Sequence, residues 1–503
     1  MAYLTFYGGG FTTSSRGWIA GGIAGWLSPA VAQALLVTAL VALTNILSLA
    51  GSGLIARVAF IGGAMGLALF YWRRSPWLYL TAVFWFWTLA PLVRRLINLH
   101  TGFNPTDLVL ATPNIMSVFV AFDLLSSSRM FKRPETLGPF GVVVCVLYGF
   151  AVSLINGQIY IGAIGAMDWL LPVLYFLFIL EHMDRIDSAV RDLRMFLILN
   201  GCVTTAYALL QVWQPPAWDV AWALNSGTDN AVTVETQWRV FGTLNSVGVF
   251  APWMVTLLVL SLHFRGILSV VILPAAGLLL LLTGVRSALV SLLLSLGVAA
   301  AIGGWRISGG LLSLGTAMIM LGLAFGSFNP DVADRLVMRY GSLTELQYDD
   351  SALTRAEIWR HTPEMIDSHP YGMGLGAIGR GAVVASNFDF VSIDFGVLAI
   401  YLSLGWVAGT IYIFSMVAAV ATGVWHALRS KDPAAVVCAA ASVGIVSLLP
   451  IANVVGFQGA TLWLSAGLAT ALGMRSDRQR KAAVSLGQVC LGPSRRIRAQ
   501  QEP

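Results

Sequence analysis

The chain has 503 residues, 57% of them hydrophobic and 11% charged, with a formal net charge of +6 at pH 7 and a mean hydropathy of +0.77. Soluble domains carry about 25% charged residues, so this composition excludes a soluble globular protein and defines an integral membrane protein. The positive residues lie between apolar runs and at the C-terminus rather than on one soluble face, which argues against nucleic acid as a partner and for membrane topology.

Residues 1–29 form a Gly/Ser/Thr-rich N-terminal segment that reads as disordered or interfacial, and no cleavable signal peptide is evident. A spanning helix needs about 20 mostly apolar residues. That criterion predicts spans near 30–50, 54–72, 76–93, 108–125, 139–156, 165–181, 195–213, 241–262, 267–284, 286–303, 309–326, 396–423, 434–450 and 453–474. The expected fold class is therefore all-α, a polytopic transmembrane helix bundle of about 14 helices with one large extracytoplasmic loop containing short helices. Eleven spans lie within 30–326, the large loop is 327–395, three spans lie within 396–474, and 475–503 is a basic, solvated tail.

Short loops rich in Lys and Arg face the cytoplasm. Arg73/Arg74, Arg129/Lys132/Arg133, Arg185/Arg191/Arg194, Arg265, Arg306, Arg429/Lys431 and the tail from Arg475 to Lys481 all fall on one side of a fourteen-span chain. Both termini are then cytoplasmic, and the 214–240 and 327–395 loops face outward. Arg94/Arg95 breaks the rule, so the pair is either noise or an anion contact.

The large loop concentrates ionisable groups that membrane segments avoid, among them Arg335, Arg339, Arg355, Arg360, Asp367 and His369. Asp350-Ser351 precedes a run in which Leu353, Ala356 and Trp359 recur at helical spacing, so a short helix is expected there, with Arg355 and Trp359 on one face. It is too short and polar to span, and should lie on the outer surface or over a cavity. Pro363 and Pro370 are expected to break the chain beyond Trp359, and Gly372, Gly374, Gly376, Gly379 and Gly381 to make a flexible return to the membrane.

Gly374-Leu-Gly376-Ala-Ile-Gly379 matches GxGxxG, but no strand precedes it and no βαβ unit contains it, so the glycines read as loop chemistry. His361 and His369 lack a partner at i+4 and a nearby cysteine cluster, which argues against a metal site. Cys145, Cys202, Cys438 and Cys490 are scattered without ligand spacing and read as packing residues. Arg286 interrupts two aliphatic runs at the outer boundary, where it either snorkels to headgroups or binds an anion. Arginine outnumbers lysine 27 to 3, and guanidinium is the better fork for phosphate. Asp394 stands before a membrane helix, as its cap or as a base facing the arginines. Trp213, Trp218, Trp222, Trp238, Tyr340, Tyr348 and Trp359 are either interfacial anchors or sugar-stacking residues.

Three stretches together resemble the superfamily of O-antigen ligases and Wzy-type O-antigen and exopolysaccharide polymerases. They are Arg239-Val-Phe-Gly242-Thr243-Leu-Asn245; Thr283-Gly-Val-Arg286-Ser-Ala; and the run from Ser351 through Arg355, Trp359, His369-Pro370 and Gly372-Met-Gly374-Leu-Gly376 to Asp394-Phe-Gly396-Val-Leu398 and Gly405. The resemblance covers roughly residues 237–410. It implies a GT-C-like membrane glycosyltransferase of the bacterial inner membrane. The implied partners are undecaprenyl-pyrophosphate-linked glycan donor and acceptor, membrane lipid, and flippase and chain-length regulator proteins. Neither cofactor nor metal is implied.

Arg286 and Arg355 would then hold the donor pyrophosphate, with Arg239, Arg339, Trp359 and His369 as further substrate contacts and Asp394 as the catalytic residue. Where the ligases carry a His-Asn segment, this chain has Asp394-Phe395, which favours a polymerase over a lipid A-core ligase. A carboxylate accepts a proton and is ionised at neutral pH. The alternatives are a ligase, a protein O-glycosylating transferase, or a lipid-linked oligosaccharide flippase. A transporter would show midplane charges and repeat symmetry between its halves; no such repeat is apparent.

Overall fold

A computed structural model describes residues 28–126, 133–226, 238–264, 269–303, 350–378 and 395–490. The predicted span at 309–326 and, of the predicted site residues, Arg339 and Asp394 lie outside them. So do Tyr340, Tyr348, Gly379 and Gly381. The described helices are α1 (Pro29–Leu49), α2 (Gly53–Trp72), α3 (Pro76–Thr101), α4 (Thr112–Leu125), α5 (Leu137–Ile155), α6 (Ile159–Glu181), α7 (Ile186–Trp213) and α8 (Ala217–Asn225). They continue with α9 (Val247–Ser261), α10 (Ser269–Thr283), α11 (Arg286–Gly303), α12 (Asp350–Asp367), α13 (Gly396–Ser430), α14 (Pro433–Val446) and α15 (Gly456–Cys490). Among the described residues there is no strand.

Among the described residues, nine helical stretches are long and apolar enough to cross a membrane, and Val247–Ser261, Ile272–Thr283 and Pro433–Val446 are shorter apolar helices. The chain is a multi-pass helical membrane protein. Local chemistry sets several helix starts. Ser28, Ser75 and Asp432 each cap a helix whose first residue is proline, accepting from Val31, Leu78, and Ala434 and Ala435 respectively. Lys431, in the left-handed region at φ 52°, ends α13 and turns the chain straight into α14.

The predicted boundaries shift where polar residues continue a helix. α7 begins at Ile186 rather than 195, because Asp187, Arg191 and Asp192 occupy its first turns. α6 begins at Ile159, and α15 runs on to Cys490, so the start of the basic tail is helical. At the other extreme, α9 starts only at Val247, six residues after the predicted span, and α14 stops at Val446, four residues early. Those two shortfalls matter for function.

α3 is the axis of the bundle, buried along nearly its whole length. α9, α14 and the first half of α15 are buried too. α1, α2 and α5 turn Leu36, Leu43, Ile46, Leu54, Val58, Val144 and Leu147 outward, as helices facing lipid must. Small residues allow close approach: Gly444 of α14 lies against Ser291 and Ser295 of α11, and Ser291 Oγ donates to Gly444 O at 2.6 Å.

Polar contacts gather at two opposite ends. One end holds Arg475–Asp187, His182–Asp123 (2.7 Å), His426–Glu135 (3.7 Å) and Arg429–Asp477 (3.9 Å). The other holds Arg57–Asp107 (2.9 Å), Arg95–Asp219 (3.1 Å) and Asn156 Nδ2 donating to Met373 O (3.1 Å). Each pair joins segments that alternating passage puts on the same side. The second end carries the candidate site.

Candidate functional site

At about 1.5 Å per residue, the 15 residues of α9 and the 14 of α14 extend only about 22 and 21 Å. A hydrocarbon core is about 30 Å thick. By contrast, the 26 residues of α3 extend about 39 Å. Their contacts show which end falls short. Phe457, at the start of α15, stacks on Trp87 with ring centroids 5.9 Å apart, and Trp87 lies about 21 Å below the end of α3 at Thr101. The Gly242–Leu244 backbone meets Arg95, about 9 Å below that same end. The result is a recessed floor walled by longer helices.

Helix N-termini converge on this floor. Gln458 Nε2 donates to Gly248 O at 2.7 Å, tying the start of α15 to the start of α9. Val247 and Val285 pack together with Trp222 and Phe241, placing the start of α11 beside α9. Val397 N donates to Leu449 O at 3.2 Å, and Gly396 lies against Ala452, bringing α13 to the segment that leads into α15. A helix N-terminus carries about half a positive charge and leaves its first backbone N–H groups without helical partners, although at α13 the Val397 N–H is already taken by Leu449 O. Gly248, in the first turn of α9, faces open space and is exposed.

The segment Arg239–Asn245 lies on the floor. Arg239 Nε donates to Thr283 O at 3.0 Å, three residues before Arg286. The structure thus brings Arg239 together with the turn that carries Arg286, which sits half-buried at the first position of α11. Thr243 Oγ1, Asn245 Oδ1 and Gln458 Oε1 are buried with no hydrogen-bond partner among the described residues. Buried polar atoms are normally paired. Of the three, the Thr243 hydroxyl can donate to an anion, whereas the Asn245 and Gln458 amide oxygens only accept and call for a donor such as a hydroxyl; the nearby arginines are the groups suited to an anion.

α12 packs over the far side of this floor. Trp359 meets Phe395 edge-on at 5.7 Å, and Ile366, Phe395, Leu398 and Leu402 form one apolar cluster. Arg355, whose backbone is helical, is one turn before Trp359, as predicted. α12 runs through Pro363 to Asp367, so Pro363 does not break it. The helix side at Pro363 is exposed, where a lost N–H costs least because water solvates the freed carbonyl. The N-cap residue of α13 is Phe395, one position after Asp394, which moves the cap position off the carboxylate.

His369 lies in the turn after α12, and its side chain makes local contacts. Its Nδ1 lies 2.8 Å from Ser368 Oγ and 3.4 Å from Met365 O. His361 reaches Glu357 (3.0 Å) and Glu364 (3.4 Å) on its own helix, and these carboxylates raise its pKa above the ordinary histidine value. Among the described residues, no group of three or more His, Cys, Asp or Glu side chains is placed to hold a metal.

The described part of the glycine-rich return is packed by specific backbone hydrogen bonds. Residues 370–376 dock into a break in α13, where Gly405 has φ 72° and ψ −177°, a conformation open essentially to glycine alone. Trp406 N donates to Pro370 O (3.0 Å), Met373 N to Leu402 O (2.7 Å), and Gly374 N to Ser403 O (3.1 Å). Leu375 N donates to Gly149 O (3.2 Å), and Ser153 Oγ donates to Leu375 O (3.0 Å). Gly372, Gly374 and Gly376 all have positive φ with neighbouring backbone where a Cβ would sit. Gly374 and Gly376, the first two glycines of the GxGxxG run, are set by close packing against Ser153 of α5 and Ile161 of α6.

Two of the aromatics read as interfacial anchors or sugar-stacking residues are engaged within the fold. Trp218 Nε1 donates to the Tyr207 hydroxyl at 2.6 Å, and Trp222 lies beneath the Arg94 guanidinium at 4.4 Å. Trp213, 90% exposed, and Trp359 remain accessible. Sequence reasoning missed Gln211, Asp219 and Gln458. An arginine pair on the disfavoured side implies a buried acid opposite it, and Asp219, the one carboxylate of α8, answers that signal. Asp168, buried within the bundle and accepting from Asn114 Nδ2 at 2.7 Å, was also missed.

Fold and site together define a multi-pass helical membrane protein in which several helix starts and two arginine-bearing segments meet on a floor recessed into one face. No protein-family model matches the chain, and no curated protein matches it significantly.

Proposed function

We propose that this protein is a membrane glycosyltransferase that polymerises undecaprenyl-pyrophosphate-linked oligosaccharide repeat units into exopolysaccharide or O-antigen. In this reading it is a multi-pass protein of the bacterial inner membrane with both termini cytoplasmic, and the floor opens to the periplasm. The observation that carries the reading is the convergence of the starts of α9, α11, α13 and α15 with Arg239 and the Arg286 turn, below the level of the α3 end. A pyrophosphate at that depth keeps its polyprenyl tail in the bilayer and its sugar toward the aqueous face. The order and spacing of the three sequence stretches supply the rest.

The reaction follows from the leaving group. The acceptor sugar hydroxyl attacks the anomeric carbon of the donor, forming the new C–O bond as the bond to pyrophosphate breaks. The electron pair leaves with undecaprenyl pyrophosphate, and attack from the opposite face inverts the anomeric configuration. Arg239, Arg286, Arg355 and the helix N-termini stabilise the charge that builds on the leaving oxygen. Asp394 takes the acceptor proton. No step requires a metal.

Incubating the purified protein with lipid-linked repeat units tests the proposal. A ladder of lengthened, lipid-linked glycans is expected. A single transfer to lipid A-core would reassign the protein as a ligase, and no transfer with any acceptor would end the glycosyltransferase reading.

A further inference from the structure

We infer that Arg95 is the positioning residue of the floor, acting through the Arg239–Asn245 segment rather than on substrate. The inference deepens the pyrophosphate reading and rests on it for its functional consequence. Its geometric half stands alone.

Irregular backbone at membrane depth must have its N–H and C=O groups satisfied by the protein. Residues 241–244 are satisfied by side chains from two helices at once. Arg95 Nη2 donates to Gly242 O (2.8 Å) and Nη1 to Leu244 O (2.6 Å). Gln211 Oε1 accepts from Gly242 N (2.8 Å) and Phe241 N (3.3 Å), and its Nε2 donates to Gly242 O (3.2 Å).

Arg95 is itself oriented. Its side chain is wholly buried, with Nε 3.1 Å from Asp219 Oδ1 and the guanidinium 4.8 Å from the Phe241 ring centroid. Asp219, equally buried, also accepts from the Tyr207 hydroxyl (2.7 Å) and Gln211 Nε2 (2.5 Å). A planar fork that serves two carbonyls and a carboxylate together is a shape lysine cannot copy. Of the two readings of the Arg94/Arg95 pair, noise or an anion contact, Arg95 makes its anion contact internally, with Asp219.

From this segment the placement passes to the anion-binding groups. Gly242 holds φ 58°, a left-handed corner that turns the chain. Arg239 stands at the segment's start and reaches Thr283 O, fixing the turn before Arg286, while Thr243 and Asn245 stand beyond the corner. Moving the Gly242 and Leu244 carbonyls moves both arginine-bearing parts of the floor.

The test uses full-length protein in lipid bilayers and compares wild type with Arg95→Lys, which keeps a positive charge opposite Asp219. Hydrogen exchange of a peptide spanning 240–246 is expected to rise at least about tenfold, with α5 and α14 peptides unchanged. Affinity for undecaprenyl pyrophosphate is expected to fall about tenfold, and Arg95→Lys combined with Arg239→Lys to lose no more than Arg239→Lys alone, as for residues acting as one unit. Unchanged exchange at 240–246, or fully additive losses of affinity, overturns the inference. Should Arg95→Lys fail to assemble, Gln211→Ala removes the side-chain acceptor of two N–H groups in the same segment and is read by the same criteria. If wild type does not bind undecaprenyl pyrophosphate, the pyrophosphate reading fails, and the exchange measurement alone then decides whether Arg95 holds the segment.

Discussion

Arg286 was legible from the sequence because a guanidinium between two aliphatic runs is conspicuous, and the structure places it at the first position of α11, three residues after the carbonyl that Arg239 holds. If its planar fork grips phosphate oxygens, Arg286→Lys keeps the charge and loses the geometry. Turnover is then expected to drop about 10²-fold, the scale of losing one preorganised donor, while membrane insertion stays normal. Wild-type turnover would remove Arg286 from the site. Asp394→Asn is expected to lower turnover by about 10²–10⁴-fold as loss of a general base, with undecaprenyl pyrophosphate still bound. Equal turnover would send the proton elsewhere. Asp219 was legible only through the misplaced Arg94/Arg95 pair, its ion-pair partner being far away in the chain, and Gln211 was not legible, because nothing in a Gln near a helix end announces that it will hold the backbone of residues 241 and 242. A smaller effect is expected at His361, whose pKa is raised by Glu357 and Glu364. A raised histidine adds local stability that is full below its unfolded value of about 6.5 and is lost as pH rises through the folded value. His361→Gln should flatten that pH dependence in hydrogen exchange across 356–367, by little, since the contacts are exposed.

Elements long and apolar throughout, such as α1, α2 and α5, were placed by hydropathy to within a few residues. The errors fell where side chains override an apolar pattern. Residues 241–246 read as membrane helix, yet Arg95 and Gln211 claim their backbone groups and hold them non-helical. The 447–455 turn read as parts of two spans because hydropathy cannot see that Val397 takes the carbonyl of Leu449. The break in α13 was invisible for the same reason, since a glycine inside an apolar run is ordinary in membrane helices. Gly405→Ala tests the break. An alanine there meets φ 72° with the Pro370 carbonyl in the space of its Cβ, a strain of about 1–3 kcal/mol. Thermal stability in detergent should fall, and residues 370–376 should become protease-sensitive. Gly62→Ala, in helical α2 with nothing within 4 Å of its Cβ, is the control and should be neutral or gain about 0.5–1 kcal/mol. Equal behaviour of the two variants would mean the 370–376 segment is not held by the break.

For the whole molecule, the two clusters of polar contacts define two faces, and the floor's function depends on which faces the cell exterior. The face with Arg133, Arg185, Arg429, Arg475 and Arg480 carries most of the short-loop arginines, and cytoplasmic loops are the ones enriched in this way. The opposite face is less basic at its surface: Arg95 is spent on Asp219, Arg57 on Asp107, and Arg94 lies buried over Trp222. Tyr371, 77% exposed beside the docked glycine segment, and Arg478, on the continuation of α15 past the opposite end, are suitable reporters. In a background lacking the native cysteines, Tyr371→Cys should react with a membrane-impermeant maleimide added to intact cells, and Arg478→Cys only after the inner membrane is opened. The reverse pattern would put the floor on the cytoplasmic face and remove periplasmic chemistry. Labelling of both from one side would break the alternating passage itself, and with it the pairing of Arg239 and Arg286 with a lipid-linked donor at the opposite surface.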